Sequence, residues 1–162
     1  MGAGQRIELE PDGDRVVVRA VMPGPLGDAD WEDIYDELEE GWRAFFEQLR
    51  FVLETRPKGA RRTVHLAGTA SAPEVAALAE RLAPGSVWHE SRFQRMLASA
   101  DGHLVVVHAT APLAVAGPVP LSVTVSTYGL DDQAFAALVG EWTGHWEPVA
   151  AERTVTTAPA AV

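Results

Sequence analysis

The chain has 162 residues, of which 47% are hydrophobic and 22% are charged, as in an ordinary globular domain. Its formal net charge of −10 disfavours general binding to nucleic acid phosphates, and the lack of cysteine excludes disulfides, thiolate metal ligands and a cysteine nucleophile. The sequence opens without an apolar signal segment, and no apolar run approaches the roughly 20 residues of a membrane span. We therefore predict a cytoplasmic protein with one domain over residues 1–150.

The first part of that domain, residues 1–56, is predicted to contain two strands and a long helix. "RIELEPDGDRVVVRA" alternates apolar and charged residues on either side of "PDGD", which is typical of a β-hairpin. "MPGPLGD" then breaks the second strand, and a helix follows from about residue 30 to residue 54. Large apolar residues recur along this helix at three- and four-residue steps and predict one continuous stripe. The stripe comprises Trp31, Ile34, Tyr35, Leu38, Trp42, Phe45, Phe46, Leu49, Val52 and Leu53.

The second part, residues 61–150, is predicted to contain a strand, a short helix, a meander and a closing helix. "RTVHLAG" reads as a strand, and Ser71 with Glu74 predicts a capping box for the short helix. Residues 87–126 alternate as an antiparallel meander that turns at Asp101-Gly102. The closing helix "DDQAFAALVGEWTGHWE" is expected to be capped by one of its two leading aspartates. Residues 151–162 are predicted to be a disordered tail.

Together these elements predict an α+β fold: one antiparallel sheet of about six strands, covered by two long helices, with a short third helix. The two long helices also resemble each other at an offset of 100 residues. The matched pairs are Tyr35 and Phe135, Leu38 and Leu138, Trp42 and Trp142, and Phe46 and Trp146. An internal repeat and helix periodicity alone both explain these pairs, and the sequence leaves the choice open.

Residues 15–54 resemble the closing strand and long C-terminal helix of START-like (SRPBCC) proteins. The resemblance is to the branch similar to the activator of the ninety-kilodalton heat-shock protein ATPase. It is carried by "DRVVVRAVMPG" and "DADWEDIYDELEEGWRAFFEQLRFVLE". The residues in pattern are Trp31, Tyr35, Gly41, Trp42, Phe46, Leu49 and Leu53. The resemblance implies a helix-grip fold, in which a curved antiparallel sheet wraps a long helix around an apolar cavity.

The chain departs from that pattern before the long helix. Such domains place two helices and about five strands ahead of it, whereas only about 25 residues precede it here. Three explanations stay open: residues 61–150 complete the sheet, a partner chain completes it, or the sequence is part of a longer protein. Because unpaired sheet edges favour association, we expect a homodimer.

The resemblance implies a non-enzymatic module that binds an apolar small molecule between sheet and helices. We interpret Gly140 and Gly144 as points where a strand or ligand approaches the closing helix. Simple core packing of the stripe is the alternative to a cavity wall. The residues predicted to line the cavity are Trp42, Phe46, Leu49 and Leu53 on the first long helix, Trp142 and Trp146 on the second, and Arg92, Arg95 and His108 on the strands.

Two other functions remain alternatives. The first is a protein-interaction module like the co-chaperone branch, which would present an exposed apolar strip instead of a cavity. The second is an enzyme of the polyketide-cyclase type, although the sequence shows no acid–base pair and no nucleophile motif. We predict no catalytic residue, metal site or cofactor. The five histidines, His65, His89, His103, His108 and His145, lack the spacing of metal ligands.

Overall fold

The computed structural model describes residues 6–21 and 31–158, with side chains described over 6–21 and 39–158. Eight strands and three helices lie in these ranges: β1 (Arg6–Asp12), β2 (Arg15–Val21), α1 (Trp31–Thr55), β3 (Arg61–Ser71), α2 (Ala72–Leu82), β4 (Gly85–Glu90), β5 (Gln94–Ser99), β6 (Leu104–Ala109), β7 (Pro118–Tyr128), α3 (Asp132–Trp146) and β8 (Ala151–Ala158). The predicted break at residues 22–28 lies outside this description, as do the side chains of Trp31, Ile34, Tyr35 and Leu38 in the predicted stripe.

The fold is α+β, with a six-stranded antiparallel sheet in the order β4-β5-β6-β7-β3-β8. This confirms the predicted class and strand number, but the six strands differ from those expected. The β1–β2 hairpin forms a two-stranded sheet of its own, and β8 occupies the edge beside β3. The disordered tail predicted for residues 151–162 is therefore wrong over 151–158. The β-branched run "TVTT" within β8 suits a strand, and pairing with β3 gives its backbone hydrogen-bond partners.

The chain divides into two compact units, residues 1–42 and residues 43–162. Their boundary falls within α1, whereas the sequence predicted a division between residues 56 and 61. In the first unit β1 and β2 pair in register from Arg6–Val21 to Asp12–Arg15, which confirms the predicted hairpin. Gly13 takes a positive φ of 62° in the turn, a conformation that glycine adopts without strain.

One face of the six-stranded sheet in the second unit carries the larger core and is covered by α2 and α3. In-register pairs such as Val64–Val125 and Val105–Val125 direct their side chains to this face. Phe135, Trp142 and Trp146 of α3 and Val75 of α2 are among the helical residues buried against it. Burial of these large apolar side chains dominates the stability of this unit.

The opposite face of the sheet packs against the last three turns of α1. Phe51 is 1% exposed there and forms a second core cluster with Met96, Leu104 and Val106. The helix face that contacts the sheet carries Ala44, Gln48 and Phe51, and not the predicted stripe. The stripe residues Phe45, Leu49, Val52 and Leu53 are 52%, 40%, 37% and 63% exposed. The two longest helices therefore lie on opposite faces of the sheet within the second unit.

Both α3 and α2 start where the sequence predicts, but only α3 has a side-chain cap. Asp131 accepts a hydrogen bond of 2.8 Å from the backbone N–H of Ala134, which is a side-chain N-cap. Ser71 occupies the N-cap position of α2 with extended backbone, but its side chain makes no capping hydrogen bond. The predicted capping box is therefore wrong. A proline in the first turn needs no N–H partner and supports the helix start instead.

Candidate binding cleft

A cleft of about 600 Å³ opens on the larger core face, between the end of α2, the β5–β6 hairpin and α3. Its volume lies within the roughly 300–1,000 Å³ typical of small-molecule pockets. The lining residues all belong to the second unit: Leu82, Ala83, Ser99, Asp101, His103, Val105, Val125, Tyr128, Leu130, Ala134, Ala137, Leu138, Glu141 and Trp142. The cleft is open to solvent along one side, so a ligand can enter it without unfolding of the unit.

The floor and one wall of the cleft are apolar. Val105 and Val125 are register partners on neighbouring strands, and both are almost fully buried. Leu138 and Trp142 are four residues apart on α3, so they point to the same side of the helix. Trp142 is 3% exposed and packs into the same core as the two valines. These side chains form a closely packed apolar base beneath the cleft, of which little is exposed.

The β5–β6 turn fixes the polar end of the cleft. The backbone N–H of Ser99 donates to the carbonyl of His103 at 2.9 Å, and the Ser99 hydroxyl accepts from the His103 N–H at 3.1 Å. Gly102 has a positive φ of 78°, which the predicted Asp101-Gly102 turn requires. The double hydrogen bond holds His103 at the cleft wall with Asp101 beside it.

Two titratable groups of the cleft have shifted pKa values, and burial is the main cause of both shifts. Burial lowers the pKa of His103 below 6.5, an effect that the negative charge of Asp101 and the Gly102 backbone partly oppose. The buried Nδ1 atom of His103 has no hydrogen-bond partner. Burial raises the pKa of Tyr128 above 10.0, against the opposing charge of Arg61. At neutral pH the cleft thus contains a neutral imidazole, whereas the neutral phenol ring of Tyr128 stacks on Phe51 at the opposite face of the sheet.

The structure does not bring the predicted wall residues of the two long helices together. Of these, Trp142 lines the cleft, while Trp146 is fully buried in the same core. Leu49 and Leu53 are exposed and Phe46 is half-buried on α1, which packs on the other face of the sheet. Trp42, also half-buried, lies in the first unit. Residues 31–55 form the predicted helix, but among the described stripe residues Leu49, Val52 and Leu53 are exposed while Phe51 is the side chain buried against the sheet.

The predicted polar residues also separate. Arg95 pairs with Glu80 at 2.6 Å and with Glu90 at 2.7 Å, beside a smaller cleft of about 340 Å³. His108 pairs in register with Gln94, the neighbour of Arg95, so His108 and Arg95 occupy opposite faces of the sheet. Arg92 is exposed, with its guanidinium 5.3 Å from the ring centroid of Phe93.

The interpretation of the two helix glycines is wrong. A Cβ atom at Gly140 or Gly144 would meet no neighbouring atom within 4 Å, and both glycines are exposed. Neither a strand nor the cleft approaches α3 at these positions. The structure offers no packing reason for either glycine.

Sequence reasoning missed most of the cleft. His103 was considered only as a metal ligand, and Asp101 only as a turn residue. Val105 and Val125 were recognisable as strand residues, but the sequence did not show which sheet face α3 covers. The one available signal was the turn itself, since a tight Asp-Gly turn places the residue after it at the end of a buried strand.

Within the described part of the chain, no group of three histidine or acidic residues could hold a metal ion. No described helix is both long enough and apolar enough to cross a membrane. Comparisons with models of protein families, with curated proteins and with solved structures found no match to this chain. The function is therefore argued from the geometry of the cleft and of the surface of α1.

Proposed function

We propose that the second unit binds an apolar small molecule in the cleft between the sheet, α2 and α3. The observation that carries the proposal is the cleft itself: an apolar floor of Val105 and Val125, a helix wall with Trp142, and a short polar end at His103. Ligand pockets combine a largely apolar lining with a few fixed polar groups in this way. The pKa of His103, which burial shifts downward, adds to the case.

The order of elements around the cleft supports a START-like helix-grip for this unit. Five strands, β3 to β7, and helix α2 precede α3, and the last of these strands pairs with the first. In this interpretation α3 holds the place of the closing helix. The sequence resemblance assigned that place to α1. The five strands expected before a closing helix precede α3, whereas the β1–β2 hairpin precedes α1.

The test uses a panel of uncharged aromatic and aliphatic compounds, with binding measured by tryptophan emission and by thermal unfolding. We expect saturable binding with one ligand per chain and a rise in melting temperature, because a ligand that binds only the folded state stabilises it. Trp142 lies in the cleft wall, so its emission should change on binding.

Two neighbouring alanines on α3 provide a matched pair of variants. Ala137 lines the cleft, while Ala136 is exposed and does not line it. Ala137→Trp should fill the cleft and abolish binding, and Ala136→Trp should bind as the wild type does. No saturable binding by the wild type, or equal binding by both variants, would contradict the proposal.

The exposed strip of α1 favours a second candidate function, a protein-interaction module. Phe45, Leu49, Val52 and Leu53 expose between 37% and 63% of their surface on one side of the helix. Contiguous exposed apolar side chains commonly mark protein-binding surfaces. The resemblance of residues 15–54 to the heat-shock protein ATPase activator branch indicates which partner to test first.

The experiment measures ATP hydrolysis by a purified ninety-kilodalton heat-shock protein with and without this chain. The interaction module is supported if the wild-type chain stimulates ATP hydrolysis and Leu53→Glu removes that stimulation. Glu54→Gln, an exposed position on the same turn, should leave the stimulation intact. No stimulation by the wild-type chain would argue against this partner class.

A further inference from the structure

We infer that the cleft selects apolar molecules that carry one cationic nitrogen, that is, hydrophobic amines. This inference rests on the proposed binding function and specifies its ligand class. Its basis is the sign of the charge around the cleft, which is separate from the apolar shape that defines the binding site.

The charged side chains that line the cleft are both acidic. Asp101 lies in the β5–β6 turn, and Glu141 lies on α3, so two different elements contribute a carboxylate to the same cleft. No lysine or arginine is among its described lining residues. The two carboxylates therefore attract a bound cation and repel a bound anion.

The remaining titratable side chain of the cleft wall does not offset this charge at neutral pH. His103 lies beside Asp101 of its own turn, and Glu141 of α3 lines the same cleft. Because burial disfavours the imidazolium, His103 stays neutral. Two described arginines lie outside the lining: Arg62 pairs with Asp132 at 2.8 Å, and Arg81 is exposed at the end of α2.

The apolar walls strengthen the preference of the cleft for an amine over an acid. Val105, Val125 and Trp142 replace water on one side of the ligand, which raises the effective strength of charge interactions above that in open solvent. An apolar body gains free energy of binding by removing its surface from water against the floor. An amine at the rim, near the carboxylates, stays partly hydrated and does not pay the full cost of desolvation. The net charge of −10 on the whole chain acts in the same direction.

The experiment compares three probes with the same aromatic body: naphthylethylamine, naphthylethanol and naphthylacetic acid. Dissociation constants are measured at pH 7 by titration calorimetry on the full chain. We expect the amine to bind roughly tenfold more tightly than the acid, with the alcohol between them. The advantage of the amine should shrink as salt is added, because both carboxylates are exposed to solvent.

Charge-neutral variants assign the effect to the cleft. Asp101→Asn keeps the turn, since Asn-Gly forms the same type of turn, and Glu141→Gln keeps the helix. Each should reduce the ratio of amine to acid affinity, and the ratio is the readout because a change in binding common to all three probes cancels in it. Glu147→Gln is the control, because Glu147 is exposed just beyond α3 and does not line the cleft.

The outcomes separate this inference from the proposed function. If all three probes bind with equal affinity, or the acid binds best, the amine selection is overturned and the apolar binding function stands. The amine selection is also overturned if Glu147→Gln reduces the preference for the amine as much as Glu141→Gln does. The preference would then come from the net charge of the chain and not from the cleft. If no probe binds, the proposed function fails together with its ligand class.

Discussion

The ring of Phe51 stacks on the ring of Tyr128, with the ring centroids 6.0 Å apart and the ring planes inclined by 29°. The ring of Trp88 meets the same phenylalanine edge-on, at a centroid distance of 5.2 Å. Phe51 is 1% exposed within this aromatic group. The three rings attach the end of α1 to strands β7 and β4, so the second core cluster depends on one helical side chain.

Truncating that side chain should be costly. We expect Phe51→Ala to lower the free energy of unfolding by about 3–5 kcal/mol, because it leaves a cavity among Met96, Leu104 and Tyr128. Leu53→Ala, two residues along the same helix and 63% exposed, should change it by less than about 0.5 kcal/mol. Urea unfolding of both variants measures the difference. Equal losses would show that α1 packs through the predicted stripe after all.

The two glycines of α3 should be replaceable with a gain in stability. Gly140 and Gly144 have open space at the Cβ position, and alanine is favoured over glycine within a helix by about 1 kcal/mol. Gly140→Ala and Gly144→Ala should therefore each raise the midpoint of urea unfolding. Gly59→Ala is the contrast, because Gly59 has a φ of 86° and a Cβ there would clash with the backbone of Gly129. That variant should be destabilised, and a gain in stability would contradict the geometry of the loop.

The residues of β8 should be protected from hydrogen exchange. Backbone pairing with β3 places Leu66 opposite Val155 and His65 opposite Thr156. Because β8 is an edge strand, the alternate amides within residues 154–157 that are directed at β3 should exchange more slowly than those of an unstructured peptide, since opening must break strand pairing. Exchange is followed by mass spectrometry or NMR at neutral pH. Unprotected amides throughout 151–158 would restore the disordered tail.

The buried state of His103 should make stability depend on pH. Its folded pKa lies below the ordinary value of 6.5, so the unfolded chain binds more protons than the folded chain as the pH falls through that range. The favourable contribution of the neutral imidazole is complete above 6.5 and is lost as the pH falls through the lower, folded pKa. The unfolding free energy of the wild type should therefore decrease more between neutral and acidic pH than that of His103→Gln.

The difference between wild type and His103→Gln cancels the contribution of groups that do not interact with His103. Parallel pH profiles of the two proteins would show that His103 is as solvated in the folded chain as in the unfolded chain. A steeper decrease in the variant would reverse the sign of the proposed shift.

The hairpin and the helix bounds could be predicted because they depend on neighbours in sequence. "PDGD" specifies the β1–β2 turn, Asp131 caps α3 through a residue three positions away, and Asp101-Gly102 specifies the β5–β6 turn. These signals depend on backbone conformation and local hydrogen bonds, which act over a few residues. The α+β class followed from the same local patterns, whereas the main sheet has six strands without β1 and β2 and with the unpredicted β8.

Contacts between residues distant in sequence decided the rest. An apolar stripe on α1 has the same spacing whether it is covered or exposed, so only packing showed that Phe51 is buried while Leu53 is not. The strand character of β8 depends on pairing with β3, far earlier in the chain. The cleft lies where α2 and α3 cover one face of the sheet, and strand register sets which side chains reach that face. Strand register and layer order arise from the sum of many weak apolar contacts between distant segments. No single segment of the sequence specifies that sum.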